Sequence, residues 1–230
     1  VLLLWAGPDA FASRWSAAVL AATHLLTVGF MAHAMLGALL QLLPVAFGVP
    51  LPHASVVSIV SHPALALGAP CLAAAFLTGL PLMFGVAALL LAFAFGIYIA
   101  EVGWAILRQR LRDPLARVIA AALLALLVTV SLGLLLAGGM AGVSVPLLEI
   151  THLHAVWGIV GWTLLLVLGA ALAVVPMFQM TASYPRWLRG PFAVATIVAL
   201  IAWSLAFWFG LAAMRTLLQW LLAAGAITVG

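Results

Sequence analysis

Six histidines beside four acids and eight arginines give imidazole a large share of the ionisable side chains of this 230-residue chain. Two of them stand in ITHLHAVWGIVGW, residues 150–162, directly after Glu149 and ahead of an apolar run that reaches Pro176. His24, His33, His62, His152 and His154 all fall in apolar stretches, whereas His53 lies in the Pro-rich segment PVAFGVPLPH. A neutral imidazole is cheaper to bury than a full charge, and it is a ligand for metals and haem iron. Ionisable groups within apolar spans are costly, so their presence raises a functional hypothesis by default.

Spacing sorts these residues. His24 and His33 are nine residues apart, which at ~100° per residue puts them on opposite faces of an α-helix. His152 and His154 diverge by about 200° and should serve different partners. His24 lies roughly 13 Å, and His154 roughly 7 Å, below the same end of their spans, a depth at which one haem could take an axial ligand from each helix. His33 and His62 lie nearer the opposite end and form a candidate second pair. Glu149 could orient an imidazole as an acceptor behind the ligand, or simply favour the helix dipole. The plainer alternative for any of these histidines is a hydrogen bond to a carbonyl or hydroxyl that helps packing. It weighs as much as ligation for His33 and His62, and for His53 solvent exposure is simplest. Glu101 could snorkel or pair with an arginine, and Met177 or Met180 could ligate soft copper. Nothing matches a nucleophilic triad, a phosphate loop or a zinc-hydrolase signature.

The elements that hold these residues follow from composition. The chain is 68% apolar and 5% charged, with no lysine, against the roughly 25% charge typical of a soluble domain. Its apolar runs exceed the ~18 to 20 residues that cross a bilayer as helix, and strict alternation, the mark of a transmembrane barrel, is absent. An all-α polytopic bundle is expected, one membrane domain over residues 1–230, with spans at about 15–43, 54–78, 82–107, 115–138, 149–177 and 192–213. A partial seventh occupies 215–230, and the apolar ends read as those of a fragment. Pro44 should stop the first span, and Pro63 and Pro70 should bend or unwind the second. Gly29, Gly37, Gly158, Gly161 and Gly169 are candidate close-approach positions. The net charge of +4 comes from scattered arginines, which suit membrane orientation rather than nucleic-acid binding. Arg108, Arg110, Arg112 and Arg117 flank one loop, and Arg186 and Arg189 another two spans away, so both loops are expected on the cytoplasmic side. Trp15, Tyr184 and Trp187 fall where interfacial aromatics belong. The single Cys71 is expected to be a packing residue.

THLHAVWGIVGW resembles the late helix of haem–copper oxidase catalytic subunits, where a His-x-His pair holds two haems. THLLTVGFMAHAMLGALLQLLPVAFG is similar to helices of NnrS-type and related small bacterial haem–copper-like membrane proteins, as is PMFQMTASYP after the fifth span. The resemblance implies His154 as the ligand of a low-spin haem, His24 as its partner, and His152 as the ligand of a second haem. It implies b-type haem, with copper as a further option. The chain departs from the family in having no adjacent His-His pair, no His-x-x-x-(His/Tyr) element and no lysine, so the oxidase copper site and its oxygen or nitric oxide reduction are not expected.

The resulting expectation is a bacterial inner-membrane protein that binds haem for electron transfer or nitric-oxide-related handling, working with lipid, a redox partner protein and no nucleic acid. Two rivals stand beside it. One is a cofactor-free transporter whose histidines and Glu101 line a path, favoured by the proline-interrupted second span. The other is an accessory or assembly subunit whose histidines are structural.

Overall fold

The computed structural model describes residues 2–8, 12–108 and 114–229. Arg110 and Arg112, which carry part of the orientation argument, lie outside the described residues. Within them all regular structure is helical. A short α1 (Leu2–Ala6) precedes α2 (Ala17–Ala46), α3 (Ala54–Thr78), α4 (Pro81–Arg108), α5 (Pro114–Met140), α6 (Leu147–Gln179), α7 (Pro191–Trp208) and α8 (Ala212–Val229). Helices α2 to α7 are each long and apolar enough to cross a membrane. At most 39% of the apolar stretch of any of them is buried within the protein. The remaining apolar surface, including Ile59, Leu82 and Leu89, is exposed, as suits helices embedded in lipid. The chain is a multi-pass helical membrane protein.

Local chemistry fixes the helix ends. Ser16 caps α2 by accepting the Val19 N–H, and prolines that need no donor open α4, α5 and α7. Gly79, at φ +69°, takes the left-handed turn that closes α3. The expected stop at Pro44 is corrected, and of the two outcomes expected at Pro63 and Pro70 local unwinding does not occur. Helix α2 continues through Pro44 to Ala46 and ends before the left-handed Gly48, forgoing the one backbone bond that the proline cannot donate. Helix α3 stays α-helical through Pro63 and Pro70; transmembrane helices tolerate proline where the surroundings re-satisfy the freed backbone.

The departures from α geometry lie elsewhere. Residues Leu25–Ala32 of α2 and Trp157–Leu164 of α6 are π-helical, closed by i→i+5 hydrogen bonds. Neither segment contains proline. The sequences are LLTVGFMA and WGIVGWTL, and each places a β-branched residue, Val, Gly and an aromatic at its third to sixth positions. Thr27-Val28-Gly29 and Ile159-Val160-Gly161 are poor α-formers, which lowers the cost of leaving α geometry there.

Two compact units are distinguishable. One comprises Val1–Gln41, Leu51–Glu101 and Leu134–Val145; the other comprises Leu42–Pro50, Val102–Gly133 and Pro146–Gly230. The first unit buries Leu36, Leu39, Leu65, Ala69, Phe84 and Tyr98. The second buries Ile119, Ala122, Leu165, Leu200 and Trp203. Small residues let its helices approach closely: a Cβ at Gly161 of α6 would lie 2.7 Å from the Ala125 Cβ of α5 and 3.2 Å from Leu200 of α7. Gly169 is equally confined, by Ile119 at 2.6 Å. Gly37 is not a close-approach position, since a Cβ there would meet nothing within 4 Å.

Candidate functional site

In the first unit the π segment of α2 separates two imidazoles. His24 donates its Nδ1–H to the Leu20 carbonyl at 2.8 Å, and its ring lies 5.0 Å from that of Phe76 on α3. His33 donates its Nδ1–H to the Val28 carbonyl at 3.1 Å, five residues back and within the π segment. Its ring meets that of His62, also on α3, edge to face with centroids 4.6 Å apart. Both rings of α2 therefore face α3, which corrects the expectation of opposite faces. Each residue of an i→i+5 turn rotates the chain less than an α residue does. Eight such residues between the histidines cancel much of the offset that a pure α-helix would give.

In the second unit His152 and His154 diverge, as two residues on an α-turn must. His154 turns to α5, where it donates its Nδ1–H to the Thr129 carbonyl at 3.0 Å. Gly133, one turn further along α5, makes room for it: a Cβ there would stand 3.1 Å from the imidazole Cε1. His152 turns to α7, its ring 5.8 Å from Phe207. Arg215 of α8 approaches the same Phe207 ring at 5.5 Å. Below them, at the onset of the π segment, Trp157 donates its indole N–H to Ser204 at 2.9 Å. Thr163 bonds the Gly158 carbonyl at 3.0 Å, again five residues back. Thus His33 in α2 and Thr163 in α6 each place a side-chain donor on a carbonyl of the π turn.

A carbonyl can only accept, so each of these Nδ1 atoms carries the hydrogen. In neutral His24, His33 and His154 the lone pair then resides on Nε2, the arrangement found when the second ring nitrogen of a ligating histidine is held by the protein. Glu149 stands exposed in the first turn of α6, where a carboxylate favours the helix dipole; the acceptor that orients His154 is the Thr129 carbonyl. His53 is exposed but not alone: Glu101 accepts its backbone N–H at 3.0 Å, and the two side chains meet at 3.2 Å. Met177 and Met180 are exposed. Among the described residues no three His, Cys, Asp or Glu side chains gather as a metal-holding group.

Sequence reasoning missed the π segments, the Thr129 and Gly133 seat, and the His53–Glu101 contact. The first had a readable signal, the shared Val-Gly-aromatic pattern 132 residues apart. The other two join residues 25 and 48 positions apart, which periodicity within one helix cannot show. The fold and these imidazoles define a multi-pass helical bundle with backbone-tethered histidines inside its spans. No protein-family model, curated protein or solved structure matches the chain.

Proposed function

We propose that the protein binds b-type haem in a bacterial inner membrane and serves electron transfer or nitric-oxide-related chemistry, with His24 and His154 as axial ligands and His152 as a ligand at a second site. One observation carries the reading: His24 and His154 each donate Nδ1–H to a backbone carbonyl, so each neutral ring has its lone pair on Nε2, the nitrogen that would face iron. Two features support it. Both helices depart to π geometry just beyond these histidines, and π turns recur at functional sites. Gly133 supplies the space in which His154 is seated. Bound haem would supply the redox chemistry. The chain's own part is to hold the rings in one tautomer and to keep water from them with apolar helices. Copper is a further ligand option for the same imidazoles. His33 and His62 touch each other, which leaves no slot for a macrocycle between them, so the haem reading rests on the other three.

Haem content tests this. Protein purified from a haem-replete host is expected to carry haem that His24→Ala and His154→Ala each remove or convert to a weakly held form. Full, spectroscopically unchanged haem in both variants would refute the assignment of ligands.

A further inference from the structure

The first unit contains a polar track that the haem reading does not use. A cleft of about 30 Å³ lies among α2, α3 and α4, lined on its polar side by His33, Ser58, Ser61, His62 and Tyr98. That volume exceeds the ~10–15 Å³ needed to seat one water. Ser61 is 4% exposed, and its hydroxyl oxygen has no hydrogen-bond partner. Other hydroxyls in these helices behave differently: Thr27, Thr129, Ser131, Thr196 and Ser204 each bond the carbonyl four residues back. A buried hydroxyl withheld from that local bond is costly unless something in the cleft engages it.

The surrounding groups say what that would be. Tyr98 is buried and spends its hydroxyl hydrogen on the Leu36 carbonyl at 3.1 Å, so its oxygen remains an acceptor. His33 spends its Nδ1–H on Val28, which leaves Nε2 as an acceptor, and His62, an exposed residue that also lines the cleft, meets the His33 ring edge to face. Ser61 can both donate and accept. The titratable groups lining the cleft are thus two imidazoles and one phenol, with no carboxylate and no arginine. Two imidazoles in contact repel if both are charged, so together they suit a single added proton.

The supply side is also visible. Three residues beyond Tyr98 on α4 stands Glu101, its side chain 10% exposed and in contact with His53, whose side chain is 63% exposed. From His53 the polar residues Ser58, Ser61 and His62 follow along α3, a climb of roughly 14 Å.

We propose that His33 and His62, bridged by Ser61 and water, form a proton-binding site inside the membrane, loaded from the Glu101–His53 mouth. A proton arriving at the carboxylate passes through water and the Ser58 and Ser61 hydroxyls to an imidazole nitrogen, each donor recovering a hydrogen from the one before it. The site uses none of His24, His152 or His154, so it stands or falls separately from haem ligation.

Nitrogen-15 NMR of imidazole-labelled protein in lipid nanodiscs tests this. As pH is lowered, one ring's worth of protonation is expected to be shared by His33 and His62, with their ring hydrogens in fast exchange with water. Ser61→Ala and Glu101→Gln should each slow that exchange by about tenfold or more, while the His24 and His154 resonances stay in place. Where Glu101→Gln disturbs folding, Ser61→Ala decides, since it deletes one oxygen that bonds nothing in the protein. Rings that ignore pH, two full protonations, or exchange equally fast in folded Ser61→Ala protein would each overturn the proposal.

Discussion

Helices α2 and α6 break α geometry in the same way and use the result differently. In α2 both histidines are tethered to their own helix, His24 to Leu20 and His33 to Val28. In α6 His154 is tethered across to Thr129 of α5, while Thr163 rather than a histidine bonds the π-turn carbonyl. A ring held by its own helix keeps its orientation when neighbours shift. A ring held by another helix records the packing between the two. The seat of His154 should therefore be the more fragile, and glycine should matter more along α5 and α6 than along α2.

Mutations that press on this contrast fall in a clear order. Gly161→Leu should be the most damaging, because its new side chain would start 2.7 Å from a Cβ that cannot rotate away. A loss of about 3 kcal/mol is expected, read as a drop in thermal or SDS-unfolding midpoint. Gly133→Val should cost less, about 1–2 kcal/mol, but should displace the His154 ring and break its bond to Thr129. The His154 nitrogen resonances would move while those of His24 do not. Tyr98→Phe removes one buried hydrogen bond from the first unit and should cost about 1 kcal/mol in the same unfolding assay. Gly37→Ala enters open space and should leave stability unchanged or raise it by up to about 1 kcal/mol. Equal damage from Gly37→Ala and Gly161→Leu would erase the distinction between the two helices.

Much of the architecture was legible because bilayer thickness and helix rise leave few choices for apolar runs of this length. Each expected span lies within a few residues of its helix; the last, drawn to 213, ends at Trp208 instead, and the partial seventh begins at Ala212. The azimuth of the α2 histidines was not legible. Nine residues imply opposite faces only while every turn is α, and LLTVGFMA is not. Proline misled in the other direction, since Pro63 and Pro70 drew attention to α3 while the geometry changed at Gly29 and Gly161. The Ser61 hydroxyl gave no signal at all, because the sequence cannot reveal that a serine has withheld its usual bond.

On the proposed reading, His24 and His154 are held in one tautomer by the Leu20 and Thr129 carbonyls so that Nε2 would meet iron. The most direct measurement is the visible spectrum, oxidised and reduced, of the detergent-solubilised protein from a haem-replete host. A Soret band that sharpens and shifts on reduction is the predicted result. Folded protein with no Soret absorbance, and none after added haemin, would contradict it.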